Sequence, residues 1–204
     1  EDRGRLVSLM EGVEDIPGVV LTEGLAWNWE TFPQYLDALE GRAHDIDFAA
    51  QVPHGALRVY VMGQRGADRA PATPEDIEAM ARLAREAVDA GALGFTTSRT
   101  LNHRTAEGAP TPTLTAAAEE LLGIAAALGE AGRGVLQFVT DFADPKTELA
   151  LLRQLVETSG RPLSVSLAQA EQAPESWRRL LAWVEGCAAD GLPMRAQVAG
   201  RPVG

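Results

Sequence analysis

The fold is decided by residues 135–168, VLQFVTDFADPKTELALLRQLVETSGRPLSVSLA, because this stretch holds one complete strand–helix–strand unit. Residues 135–140 and 163–168 are short runs of β-branched and apolar residues, which are typical of buried strands. Between them, Asp144 or Thr147 can cap a helix whose apolar positions follow the 3.6-residue period. The unit therefore predicts two parallel strands joined by a helix.

The same unit recurs along most of the chain. Further strands are predicted at residues 47–52, 93–97 and 194–198, and further helices at about residues 73–91, 115–132 and 174–191. Helical crossovers of this length are right-handed, so the class is α/β, with either a doubly wound sheet or a (β/α)8 barrel. We favour the barrel because no glycine-rich dinucleotide loop follows any strand. The expectation is a partial TIM-type barrel of about five parallel strands alternating with helices.

The length of the chain suggests that this barrel is incomplete. An intact barrel needs about 250 residues, whereas this chain has 204, and no convincing strand precedes residue 46. We expect residues 1–45 to form a helical and loop segment and residues 46–204 to form central βα units. Such a section would expose strand edges that pair with the remainder of the barrel or with another copy, whereas a complete doubly wound domain would be monomeric.

Composition narrows the range of partners and compartments. The net charge of −11 comes from 29 acidic and 18 basic residues, which argues against nucleic acid as a partner. No apolar run of about 18 residues is present, so we expect no membrane-spanning helix. The single cysteine, Cys187, excludes an intramolecular disulfide and suggests a reducing, cytoplasmic location. The composition is rich in Ala, Gly and Arg and has one lysine, Lys146, which resembles the amino-acid bias of proteins from high-GC bacterial genomes.

Two candidate site residues follow the first predicted strand. His54 lies in a Pro-His-Gly sequence, where a turn would hold its ring at the mouth of a barrel as a metal ligand, a base or a substrate contact. The alternative is a loop histidine that is hydrogen-bonded to the backbone. Arg58 could clamp a substrate carboxylate through two hydrogen bonds, or it could form a structural salt bridge.

Further candidates follow the second and third predicted strands of the chain. Ser98 and Arg99 end one strand, and the long polar segment after them contains His103, so this segment is suited to substrate binding. A merely solvated loop is the alternative. Asp141 follows the next strand and could act as a ligand or a base, although Asp141 and Asp144 could equally cap the next helix.

Sequence motifs of other catalytic sites are absent. The chain has no G-x-S-x-G, Walker A, H-E-x-x-H or C-x-x-C sequence, and none of its three histidines is paired at metal-ligand spacing. These 204 residues therefore cannot hold a complete zinc site of the usual kind.

Several stretches resemble the D-aminoacylase branch of the metal-dependent amidohydrolases, the N-acyl-D-amino-acid deacylases and their relatives. The resemblance rests on residues 12–17 (GVEDIP), 27–36 (WNWETFPQYL), 52–58 (VPHGALR), 61–63 (VMG) and 90–98 (AGALGFTTS). It covers most of the chain, and the order of these motifs is more specific than any one of them.

The resemblance implies a TIM-like barrel with zinc, or another divalent metal, at the carboxyl ends of its strands. The chain would then hold the third to seventh strands. A paired-histidine motif and a cysteine ligand would precede Glu1, and a catalytic aspartate would follow Gly204. The positions that match two further histidine ligands are occupied by Val139 and Leu167, neither of which binds zinc.

The leading hypothesis is therefore a section of an amidohydrolase-like enzyme. The whole protein would hydrolyse the amide C–N bond of a small N-acylated, amino-acid-like substrate through a metal-activated water, and the section alone would be inactive. The alternative is a barrel that has lost its metal ligands and binds a small molecule or a partner without hydrolysis.

Overall fold

The structure, a computed structural model, describes residues 3–169, 171 and 173–200. Three helices come first: α1 (Arg3–Glu14), α2 (Gly18–Gly24) and α3 (Phe32–Glu40). Then follow β1 (Gln51–Pro53), α4 (His54–Met62), α5 (Gln64–Ala67), α6 (Pro74–Asp89), β2 (Gly94–Arg99), α7 (Ala118–Ala131), β3 (Val135–Thr140), α8 (Pro145–Ser159), β4 (Leu163–Ser166), α9 (Ser176–Ala189) and β5 (Met194–Gln197). Residues 1–2, 170, 172 and 201–204 of the two predicted ranges lie outside the described residues.

The five strands form one parallel sheet in the order β1-β2-β3-β4-β5. The order never reverses, whereas a doubly wound sheet changes direction at a switch point. Consecutive parallel neighbours joined by helices are the arrangement of a (β/α) barrel. The predicted partial barrel of five parallel strands is therefore confirmed.

The two faces of this sheet differ in chemistry. One face is apolar and packs beneath α6 to α9, and its buried strand residues are Val52, Phe95, Leu136, Phe138, Leu163, Val165 and Met194. The opposite face, called the inner face here, carries mostly polar residues that share one register: Thr96, Ser98, Gln137, Ser164, Ser166, Arg195 and Gln197. A doubly wound sheet would be apolar on both faces, so the inner face also favours the barrel.

Helix capping follows the sequence signals. The Thr73 hydroxyl accepts a hydrogen bond from the Asp76 amide at 3.2 Å, and the Asp76 carboxylate accepts one from the Thr73 amide at 2.8 Å. Asp144 caps α8 by accepting a hydrogen bond from the Thr147 amide at 3.4 Å. These contacts satisfy amides that have no partner within the helix.

Several predicted boundaries were wrong. The strand predicted at residues 47–52 is confined to Gln51–Pro53, because the residues before it are exposed and have no layer to pack against; Ile46 is 78% exposed. His54 does not lie in a turn but begins α4, which the sequence analysis missed. Helices α7 and α9 begin a few residues later than predicted. No helix in the described ranges combines the length and the apolar content needed to cross a membrane.

Candidate functional site

A buried cluster on the helix side of the sheet joins His54, Arg58, Thr97 and Glu120, and it is called the buried cluster below. His54 Nδ1 lies 2.8 Å from the Thr97 hydroxyl, and Nε2 lies 2.7 Å from Glu120 Oε1. Arg58 donates to the other oxygen of Glu120 and to the Ala70 carbonyl oxygen, the latter at 2.7 Å. Each of these four side chains is almost fully buried.

Burial sets the protonation states in the buried cluster. Desolvation lowers the pKa of His54 below its ordinary value, although the hydrogen bond to Glu120 acts in the opposite direction. Burial also acts to raise the pKa of Glu120, but hydrogen bonds from His54 and Arg58 outweigh it and leave this pKa below the usual range. We therefore assign a neutral imidazole that donates a hydrogen bond from Nε2 to the Glu120 carboxylate and accepts one from the Thr97 hydroxyl at Nδ1.

A cleft of about 670 Å³ lies between the N-terminal helices and the carboxyl ends of β1 to β3, and its lining also includes His54 and Thr97 of the buried cluster. One wall is apolar and aromatic, and includes Leu9, Met10, Trp27, Trp29 and Tyr35. The opposite wall is polar and includes Thr96, Ser98, His103 and Gln137. The cleft thus combines a large apolar surface with a few polar groups, as small-molecule sites do.

Two tryptophans form the aromatic wall. The rings of Trp27 and Trp29 stack with centroids 5.9 Å apart and an interplanar angle of 21°. The backbone of Trp27 has φ of +48°, a conformation that bulky residues rarely adopt and that is enriched at functional sites. Arg3 holds this conformation by donating to the Trp27 carbonyl oxygen at 3.1 Å and lying over its ring.

The polar wall brings together two of the predicted site residues. Ser98 Oγ lies 2.7 Å from Nδ1 of His103, and both side chains are half-buried. Ser98 stands on the inner face of β2, and His103 lies in the loop that follows this strand. The loop packs against α1, since the Ala106 amide donates to the Ser8 carbonyl oxygen at 2.9 Å.

The remaining predicted site residues form contacts away from the cleft. Arg99 forms an ion pair with Glu148 of α8 at 3.2 Å, and Arg58 belongs to the buried cluster. Asp141 does not cap α8; it accepts hydrogen bonds from the Thr100 hydroxyl and, at 2.8 Å, from the Leu101 amide. The functional roles predicted for these residues stay predictions, as does the catalytic role of His54.

The described residues do not fit the metal centre that the resemblance implies. Val139 lines the cleft and Leu167 packs against the hydrophobic core, so neither position supplies a donor atom. Within the described ranges, His, Cys, Asp and Glu side chains form no group of three that could hold a metal ion. Any ligand set must therefore include other residues.

Sequence reasoning missed Glu120, and it interpreted the aromatic residues around Trp27 as helix packing and not as the wall of a cleft. Glu120 lies in the first turn of α7, four residues before Ile124 and eight before Leu128, so helical periodicity places it on the buried stripe. That spacing is the signal that could have identified it. The wall requires two segments distant in sequence, α1 and the residues around Trp27, and neither segment alone indicates a cleft.

Fold and site together define a class of protein. Parallel strands in unreversed order, with helices on one face and a cleft at their carboxyl ends, are the features of (β/α)8-barrel proteins, whose active sites lie at that end. The chain belongs to the amidohydrolase family, whose sequence profile matches residues 1–203. Part of its sequence is similar to a D-aminoacylase, and its fold is similar to that of D-aminoacylases.

Three relatives illustrate this similarity. A D-aminoacylase of Alcaligenes xylosoxydans xylosoxydans is 40% identical over 78 residues, which are 38% of this chain and 16% of that protein. The N-acyl-D-glutamate deacylase of Bordetella bronchiseptica, solved with zinc and a phosphonate mimic of the tetrahedral intermediate, is 25% identical, with a TM-score of 0.67 over 84% of this chain. A D-aminoacylase with a binuclear metal centre is 24% identical, with a TM-score of 0.66 over 85% of this chain. The chain spans 34% of the length of each of these two solved structures.

Proposed function

We propose that the full-length protein hydrolyses the amide C–N bond of a small N-acylated, amino-acid-like substrate that binds in the cleft. The observation that carries this proposal is the cleft itself, where an aromatic wall faces hydroxyl, imidazole and amide groups at strand ends. Its volume of about 670 Å³ lies in the range of small-molecule sites. Membership of the amidohydrolase family supports the same reaction class.

The two walls of the cleft differ in polarity, so each suits a different part of the substrate. The stacked rings of Trp27 and Trp29 offer a flat apolar surface to the acyl group. Ser98, His103 and Gln137 face the amide and the polar end of the substrate. We expect the isolated 204 residues to be inactive, because the resemblance implies that the paired-histidine motif, the cysteine ligand and the catalytic aspartate lie outside them.

A metal ion remains part of the proposal only for the full-length protein. The relatives bind metal ions, zinc among them, and the resemblance extends this expectation to zinc or another divalent metal here. Because Val139 and Leu167 offer no donor atom, we propose that any such ion takes ligands from outside the described residues. The buried free thiol of Cys187 is consistent with the cytoplasmic location that we propose.

A barrel that binds its ligand without hydrolysis is the second candidate function. It is favoured by Val139, which places an isopropyl group on the cleft wall at a position where the resemblance implies a metal ligand. The two candidates differ in turnover, because a binding protein would leave the amide bond intact.

The assay that tests the proposed function follows amine release from a panel of N-acyl D- and L-amino acids by the full-length protein, with its metal content measured in parallel. We expect turnover of substrates with apolar acyl groups. Removing the stacked ring in Trp29→Ala should raise KM about two- to tenfold, since such contacts contribute about 0.5–1.5 kcal/mol. Trp177→Ala, on α9 and outside the cleft, is the matched control. Saturable binding without amine release would contradict the proposal and support the second candidate.

The open edges of the sheet suggest a partner. Among the described residues, β1 pairs only with β2, and β5 only with β4. Unpaired strand edges favour association, so we propose that they pair with the remainder of the barrel or, in the isolated 204-residue chain, with another copy. Light scattering on this chain should show oligomers, and a strictly monomeric chain would contradict the proposal.

A further inference from the structure

We propose that Gly12 of α1 is a positioning residue for the loop between β2 and α7, residues 100–117, which is called the substrate loop here and carries His103. The inference rests on the amide hydrolysis proposed above and deepens it. It assigns the width of the cleft, and with it the choice of acyl group, to the contact between α1 and the substrate loop. Gly12 acts through this loop and does not touch the substrate.

The contact between α1 and the substrate loop brings two backbones together. A Cβ atom at Gly12 would overlap the carbonyl oxygen of Arg104 and lie 2.6 Å from the amide nitrogen of Ala106. One turn earlier on α1, the Ser8 carbonyl oxygen accepts a hydrogen bond from the Ala106 amide at 2.9 Å, and the Ser8 hydroxyl donates to the Glu107 carboxylate. A residue without a side chain at position 12 is what allows the loop to lie this close to the helix.

The tip of the substrate loop is a compact turn. Arg104 and Pro110 form an antiparallel bridge, and the Thr105 amide donates to the Ala109 carbonyl oxygen at 2.8 Å. Hydrogen-bonded units of this kind transmit a displacement as a whole. A shift of the tip at Arg104 therefore also moves His103, which directly precedes it in the chain.

The helix and the loop form opposite walls of the cleft. Helix α1 contributes Leu9, Met10 and Val13, and the substrate loop contributes His103 and Thr113. The contact at Gly12 joins these two walls, so it sets the distance between them. A wider separation would move the polar groups away from the amide and make room for a bulkier acyl group.

The ends of the substrate loop are held away from α1. Asp141 accepts hydrogen bonds from Thr100 and Leu101 at the start of the loop, and the Thr113 hydroxyl donates to the Ser98 carbonyl oxygen near its end. Because these contacts do not involve α1, Gly12→Ala should displace the tip of the loop and leave the fold intact.

Gly12→Ala in the full-length protein tests the inference, with Gly4→Ala as the matched control. Gly4 lies on the same helix, and a Cβ there would meet nothing within 4 Å. We expect Gly12→Ala to lower kcat/KM for an N-acetyl amino acid by about 10²-fold, the cost of a misplacement of about 1 Å. The ratio of kcat/KM for the N-benzoyl derivative to that for the N-acetyl derivative should rise, because the cleft is wider. Gly4→Ala should match the wild type in both quantities.

The ratio distinguishes positioning from a merely structural role, since a smaller folded fraction lowers kcat/KM equally for both substrates. Hydrogen exchange followed by mass spectrometry adds a readout that needs no turnover. The peptide that contains Ala106 should exchange faster in Gly12→Ala and at the wild-type rate in Gly4→Ala. Glu107→Gln weakens the hydrogen bond from Ser8 without adding volume, so it should change the exchange rate and the ratio in the same direction but less.

The outcomes separate this inference from the proposed function. If the wild type hydrolyses no amide, the proposed function fails, and the affinities of the same two compounds, measured by tryptophan fluorescence, take the place of kcat/KM. A ratio that rises in Gly12→Ala then still supports the inference. An unchanged ratio would overturn it, whether or not the variant is less stable. If Gly12→Ala does not fold, an unchanged ratio in Glu107→Gln would overturn it.

Discussion

Glu120→Gln is expected to lower the free energy of unfolding by about 3–5 kcal/mol, the usual cost of breaking a buried ion pair. The carboxylate is 1% exposed and accepts hydrogen bonds from both His54 and Arg58. Removing its charge leaves the Arg58 guanidinium buried without a counterion. Arg58 Nε already has no hydrogen-bond partner, so the guanidinium depends on the carboxylate and on the Ala70 carbonyl.

The neighbouring glutamate provides the control for this prediction. Glu119 lies in the same helical turn but is exposed, so Glu119→Gln should change the free energy of unfolding by less than about 0.5 kcal/mol. Denaturant unfolding of both full-length variants gives the comparison. Equal stability of Glu120→Gln and Glu119→Gln would show that the buried cluster does not stabilise the fold.

Acid is expected to destabilise the protein through the same cluster. His54 and Glu120 both have a pKa below the ordinary value in the folded state. The unfolded chain therefore binds more protons than the folded one as the pH falls, and the free energy of unfolding decreases. The contribution of His54 is complete above its unfolded pKa of about 6.5 and is lost as the pH falls through its lower folded pKa. The contribution of Glu120 is complete above its unfolded pKa of about 4.3 and is lost as the pH falls through its lower folded pKa.

Denaturant unfolding measured between about pH 7.5 and about pH 5 tests this loss of stability. This range spans the titration of unfolded histidine at about 6.5. We expect His54→Gln to be less stable at neutral pH and to lose less stability on acidification, because its side chain does not titrate. His44→Gln is the control, since His44 is exposed. A wild-type stability that is flat over this range would contradict the neutral, buried state assigned to His54.

Much of the fold could be predicted because its signals are local. Thr73 and Pro74 mark the start of α6 through capping chemistry, and Gly160 ends α8 in the left-handed conformation that glycine favours. The first strand was less predictable because residues 43–49 are exposed. The proline in Pro53-His54-Gly55 resembles a turn signal, but it immediately precedes a helix that tertiary packing stabilises.

The candidate site was harder to predict because its contacts join distant segments. His54 meets Thr97 and Glu120 across 43 and 66 residues of sequence. Ser98 and His103 were both predicted as site residues, yet their pairing depends on the path of a loop that Asp141 anchors. Periodicity indicates that a residue such as Glu120 faces the core, but it does not identify the cation that it meets there.

In the proposed function, the buried cluster stabilises the fold and the polar wall of the cleft, which includes His103, contacts the substrate. The most direct test measures the free energy of unfolding and the kcat/KM of amide hydrolysis for Glu120→Gln and His103→Gln in the full-length protein. We predict a large loss of stability in Glu120→Gln, and in His103→Gln a lower kcat/KM with near wild-type stability. A His103→Gln variant that keeps its kcat/KM, or that is as unstable as Glu120→Gln, would contradict this assignment.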